Sequence, residues 1–333
     1  MFVPARNRDA SDPREPFSRA EARAAGLTAE MLLSKRFHKI FWDAYVSSDV
    51  PITSLLRAKA VIRLVPTGSY ISHSTAAELW GTAPPPDGAT HITLPSACGR
   101  QVRQGVRSHY HSQPAQTTLR NGLPISTPEQ TFLDLAGIGL GLVDLVVVAD
   151  GMIKAGHTSP ERLVEAAAQW GGKGCWVARR AALLARDGVD SPQETRLRLL
   201  LVLAGLPEPR VNSIIRRRDG SWRRRYDLVY EHVRLIVEYD GRQHAEDTRQ
   251  WFTDIFRREE LDQMHWRLAI VTSEASTASR CEHWNAYEMP WWNAERSGFA
   301  GPLSRSGGCT FQAASASRLE MSNVSGCGRG RHR

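Results

Sequence analysis

An Asp-Gly pair at 219–220 stands between two strand-like runs, NSIIRRR and SWRRRYDLVY, and a tight connection at Glu231-His232 leads at once into VRLIVEYD. An Asp-Gly dipeptide flanked by such runs is a strong hairpin signal. NSIIRRR, SWRRRYDLVY and VRLIVEYD are thus expected to be consecutive strands of one sheet. Upstream, Ser191 stands at an N-cap, Pro192 at the first helical position and Glu194 three residues after the cap, which starts a helix, TRLRLLLVLAG, ending at Gly205. Downstream, DTRQWFTDIFRREELDQMH reads as a helix and WRLAIVT as a further strand. The order is helix, three strands, helix, strand.

Two carboxylates fall on neighbouring strands of this unit, Asp227 on the second and Glu238 on the third. Glu238 and Asp240 are two residues apart and share a sheet face. Glu238 lies in an otherwise apolar strand, LIVEYD, and a carboxylate there needs a partner. If the hairpin aligns Asp227 with Glu238, a divalent cation is one way to neutralise the converging charges. Oxygen ligands suit Mg²⁺ or Mn²⁺, which can activate water beside a phosphodiester. The alternatives are plain: Asp227 pairing with Arg225, and Glu194 serving only its helix start.

Arg216, Arg217, Arg218, Arg223, Arg224 and Arg225 flank the Asp-Gly turn, with Trp222 among them. Arginines hold phosphates and tryptophan stacks on bases, so this hairpin is a candidate nucleic-acid contact; a solvated turn is the rival reading. Net charge is +8, with an isoelectric point near 9.5, which favours a polyanionic partner. The five cysteines are scattered without CxxC spacing, which argues against a disulfide framework and against a structural zinc site. No apolar run approaches a membrane span, and the first residues lack a signal-peptide core. A cytoplasmic protein without membrane contact is expected.

In the N-terminal half, Ser18 and Glu21 form a capping box for a helix that stops at Gly26, and Thr28 caps a second helix. RFHKIFWDAYV follows as a strand. This fits a helix-turn-helix with a wing and equally any small helical hairpin. ITSLLRAKAVIRLV and STPEQTFLDLAGIG read as helices, THITLP and GVRSHYH as strands, and helical patterns run on to about residue 186. The expected organisation is an α/β (α+β) chain: disordered residues 1–16, a winged helix-turn-helix at 17–50, an α/β extension at 51–186, a mixed-sheet domain at 187–276 and an atypical or disordered tail at 277–333.

Two resemblances attach to these residues. The order FSRAEARAAGL, ISHSTAAELWG, HITLP, GVRSHYH, GLPISTPEQTFLDLA resembles abortive-infection (type IV) antitoxins, and implies a DNA-binding winged helix. Residues 190–275 resemble the PD-(D/E)XK restriction-endonuclease-like superfamily, in particular bacterial domains related to very-short-patch-repair endonucleases. Tyr226-Asp227 stands in the PD place and Glu238-Tyr239-Asp240 in the (D/E)XK place, with Asp240 where the lysine belongs. That resemblance implies a restriction-endonuclease-like sheet flanked by helices and a Mg²⁺-dependent DNA endonuclease. Asp227 and Glu238 would hold the metal, with Glu194 and Asp240 supporting it. His244 would transfer protons, and Arg257 or Arg258 would stabilise phosphate charge. The alternative function is a catalytically inactive DNA-binding regulator of the antitoxin kind; RNA as the substrate stays open, as does oligomeric state.

Overall fold

The structure is a computed structural model that describes residues 13–95, 103–111, 115–217, 220, 223–240 and 248–272. Residues 1–12 of the expected disordered segment, the end of the expected mixed-sheet domain from 273 and the whole expected tail, 277–333, lie outside the described residues.

The chain starts with two short helices, α1 (Arg19–Ala24) and α2 (Ala29–Leu33), and a hairpin of β1 (Phe37–Phe41) and β2 (Ala44–Ser47). The capping box forms as the sequence requires: Glu21 N donates to Ser18 Oγ (3.2 Å) and Ser18 N to Glu21 Oε2 (2.7 Å). Thr28 Oγ1 accepts from Met31 N at 3.2 Å and starts α2. The segment expected as one strand is two, because the chain reverses between Phe41 and Ala44. Ala22, Leu32 and Tyr45 make a small core here, lined by Phe17, Leu27 and Phe37.

The middle of the chain builds a five-stranded sheet in the order β5-β4-β3-β7-β6 from β3 (Tyr70–Ile71), β4 (Thr90–Leu94), β5 (Val106–Tyr110), β6 (Thr117–Arg120) and β7 (Leu123–Ser126). Helices α3 (Ser54–Ile62), α4 (His73–Leu79), α5 (Pro128–Gly137), α6 (Leu142–Lys154), α7 (Pro160–Gln169) and α8 (Cys175–Leu184) accompany it. The main hydrophobic core lies here, with Ile71, Ile92, Ile125, Phe132, Leu135, Leu145, Met152 and Leu163 all fully buried. The apolar run at 138–148 falls mostly in α6, a buried helix of this core. Among the described residues, no helix is long and apolar enough to cross a membrane.

The last described unit is α9 (Pro192–Leu203), β8 (Arg210–Arg216), β9 (Arg223–Tyr230), β10 (Leu235–Asp240), α10 (Thr248–Gln263) and β11 (Arg267–Thr272). Its strands run β11-β10-β9-β8. β8, β9 and β10 pair antiparallel in sequence order, and β11 pairs parallel with β10. The parallel pairing needs a crossover, and α10 supplies it. The helix, three strands, helix, strand order matches the sequence expectation, and the chain as a whole is α/β. Such an arrangement hosts many functions and fixes none.

Candidate functional sites

The carboxylates expected to share a metal are close but individually occupied. Asp227 Oδ2 accepts from Tyr239 N at 3.1 Å. Glu238 is ion-paired with Arg257, a buried side chain whose guanidinium also lies 4.9 Å from the centre of the Tyr226 ring. Glu194 Oε2 accepts from Asp190 N (2.9 Å) and from Asn212 Nδ2 (3.1 Å), closing the start of α9 onto β8. Asp240 ends β10 opposite Thr272. Arg225, a possible partner for Asp227, pairs instead with Asp190.

Asp227 has its pKa pushed up to about 6, first by burial and then by the charges of Glu194 and Glu238. Its folded pKa lies above the unfolded value. The native state therefore holds the extra proton between about pH 4 and 6, and stability falls as pH rises through that window. Asp227→Asn is expected to stabilise the protein at pH 7 by ~1–2 kcal/mol, the shift discounted for partial exposure. Urea unfolding at pH 7 and below pH 4 checks this. Equal stability of variant and wild type at both pH values would refute it.

The arginine ridge is also partly engaged. Arg217 bonds Gln263 Oε1 (3.1 Å) and pairs with Glu260. Arg216, Arg224 and Arg258 have no acidic partner among the described residues, and Arg216 and Arg258 are exposed. Arg218, Trp222, His244 and the side chain of Arg223 lie outside the described residues.

A second charged surface lies on the N-terminal unit, and the sequence reading gave it no site residues. Arg14, Arg19, Lys59 and Arg63 there each pair with an acid: Asp49, Asp43, Glu15 and Glu21 respectively. Lys35, Arg36 and Lys39, in the α2–β1 connection and on β1, are exposed with no acidic partner among the described residues. The signal was present in the run SKRFHK.

Sequence reasoning also missed a cluster of imidazoles in the middle sheet. His73 opens α4, His91 lies on β4 and His109 on β5. His91 Nδ1 stands 3.0 Å from His109 Nε2, and the His73 and His109 rings stack with centres 3.5 Å apart. Burial and the neighbouring rings depress His73 to about 2 and His109 to about 3, and burial lowers His91, so all three are neutral near pH 7.

Residues 69–194 match the AbiEi antitoxin C-terminal domain. This antitoxin-like part begins just before β3 and ends at Glu194, so it holds the five-stranded sheet and the histidine cluster. The matched stretch begins inside the run of motifs that opens with FSRAEARAAGL and continues beyond GLPISTPEQTFLDLA to Glu194. No curated protein matches the chain. A solved structure, that of the RV2827C protein from Mycobacterium tuberculosis, aligns at 15% identity over 64% of this chain and 87% of that one, with a TM-score of 0.37.

The AbiEi match overturns the expected Mg²⁺-dependent endonuclease: the family found is an antitoxin, and the comparisons lend no support to a PD-(D/E)XK nuclease domain. The geometry gives a physical reason. Glu194, Asp227 and Glu238 each already accept from a protein donor, and with Asp240 they do not form a three-ligand group. Among the described residues, the one such group of His, Cys, Asp or Glu is His73, His91 and His109.

Proposed function

We propose that this protein is a DNA-binding regulator of the antitoxin type, whose N-terminal helix–helix–hairpin unit grips the phosphate backbone. The observation that carries the reading is the contrast on that unit. Arg14 and Arg19 of this unit, and Lys59 and Arg63 at the neighbouring α3, are neutralised by acids, whereas Lys35, Arg36 and Lys39, close in sequence, are exposed and without an acidic partner among the described residues. Unneutralised cations beside a two-stranded ribbon suit phosphate contact, where the favourable free energy comes largely from counterion release. The AbiEi match next to this unit and the net charge of +8 support the same reading. Arg216 and Arg224 on the last sheet and Arg258 on α10 would add contacts.

The test is fluorescence anisotropy of the full chain on a labelled duplex over a series of salt concentrations. Each phosphate contact contributes about −0.9 to the slope of log affinity against log salt. Replacing Lys35, Arg36 and Lys39 together by alanine is expected to make that slope shallower by about 2–3 and to weaken binding at low salt at least tenfold. A triple variant that binds with unchanged slope and affinity would remove the basis of this reading.

A further inference from the structure

We propose that His73, His91 and His109 form a binding site for one divalent d-block cation of the zinc type. The three rings come from three different elements and converge, so that one ligand atom of each lies within 4.8 Å of the other two. Two imidazole nitrogens bound to zinc at about 2.0–2.1 Å with tetrahedral geometry stand roughly 3.3 Å apart. His91 Nδ1 and His109 Nε2 are already 3.0 Å apart, so a small ring movement would admit the ion between them.

The surroundings are those of a ligated histidine set. His91 Nε2 stands 2.6 Å from Asp87 Oδ2, and Asp87 is in turn held by Arg107 Nη1 at 3.0 Å. A histidine that gives one ring N–H to a carboxylate turns the lone pair of its other nitrogen outward and becomes a better ligand; such carboxylate–histidine pairs are the usual outer shell of a metal site. His73 Nδ1 lies 2.9 Å from Ser72 Oγ, and Ser72 Oγ also accepts from Thr93 Oγ1 at 2.9 Å. With Nδ1–H donating to that oxygen, His73 Nε2 is the nitrogen open to an ion.

His73 also has a backbone φ of +51°, a left-handed conformation uncommon for a residue with a side chain. Held strain of this kind collects at functional positions. It places the His73 ring at the foot of α4, against β4 and β5. Three neutral nitrogens suit zinc, cobalt or nickel and not magnesium, which takes oxygen ligands. Three protein ligands leave a fourth position for water or another donor. The ion would tie α4 to β4 and to the edge strand β5.

The experiment uses the full chain, freed of metal with a chelator and titrated with Zn²⁺ against a chromophoric competitor, and separately with Co²⁺ followed by visible absorption. One tight equivalent of Zn²⁺ is expected, with intense four- or five-coordinate Co²⁺ bands. His109→Asn should abolish the tight equivalent, and Asp87→Asn, which leaves the three rings in place, should weaken it about 10–100-fold. The Co²⁺ spectrum of the wild type needs no variant and reads the site even if His109→Asn does not fold. Only the faint spectrum of six-coordinate Co²⁺ in the wild type, or Zn²⁺ binding that neither substitution changes, overturns the proposal.

Discussion

Replacing Gly174 by alanine is expected to destabilise the protein by about 3 kcal/mol or more, from left-handed strain of ~1–2 and steric overlap of ~1–3. Gly174 caps α8 with φ +82°, and a methyl group there would lie 2.2 Å from the carbonyl oxygen of Ala136 and 2.5 Å from its carbonyl carbon. Both atoms are backbone of α5, so no rotamer change relieves the overlap; α8 would have to move off α5. Between them these helices bury Phe132, Leu135, Ala178 and Ala182 in the main core. Gly122→Ala separates the two causes. Gly122 has a similar φ, +75°, with nothing within 4 Å of the added carbon, so it should cost only ~1–2 kcal/mol. Urea unfolding of both variants measures the difference. Equal midpoints would show that α8 and α5 are not packed as described.

Removing the carboxylate of Asp150 is expected to cost ~3–5 kcal/mol, because it takes from a buried guanidinium its buried counter-charge and leaves it only the partly exposed Glu208. Asp150 on α6 is 2% exposed and Arg198 on α9 is 0% exposed. Asp150 Oδ2 accepts from Arg198 Nη2 (3.1 Å) and Thr195 Oγ1 (2.9 Å), and Oδ1 from Arg186 N (2.7 Å). Arg198 further donates to Leu184 O and Glu208 Oε1, both at 2.8 Å. This network joins the end of the antitoxin-like part to the helix that opens the last sheet. Asp150→Ala tests the loss. The double variant Asp150→Leu with Arg198→Met should recover most of it, since an apolar pair of similar size carries no desolvation cost. Thermal or urea unfolding of the single and double variants reads the coupling. A double variant as unstable as the two single losses added together would mean that the pair does not act as a unit.

Local chemistry was legible in the sequence wherever the physics is local. The capping box at Ser18, the N-cap at Ser191 with proline behind it, and the reversal between β8 and β9 all lie where the residues put them, because a cap or turn is decided by a few adjacent atoms. THITLP, GVRSHYH and LIVEYD likewise read as strands and form β4, β5 and β10. The reversal at Trp42-Asp43 was missed, since it carries no glycine and the residues on both sides read as strand.

Only the tertiary structure decided which charged groups find partners. Glu238 and Asp227 read as metal ligands in the sequence; in the fold Arg257 on α10 pairs with Glu238 and the amide of Tyr239 donates to Asp227. Arg225 took Asp190, far off in sequence, in place of its neighbour Asp227. His73, His91 and His109 sit in three unrelated stretches of chain, and nothing in their spacing announces a cluster. Charge pairing and ligand convergence depend on distances across the fold, which caps and periodicity do not encode, so the sequence set the elements and the packing chose the sites.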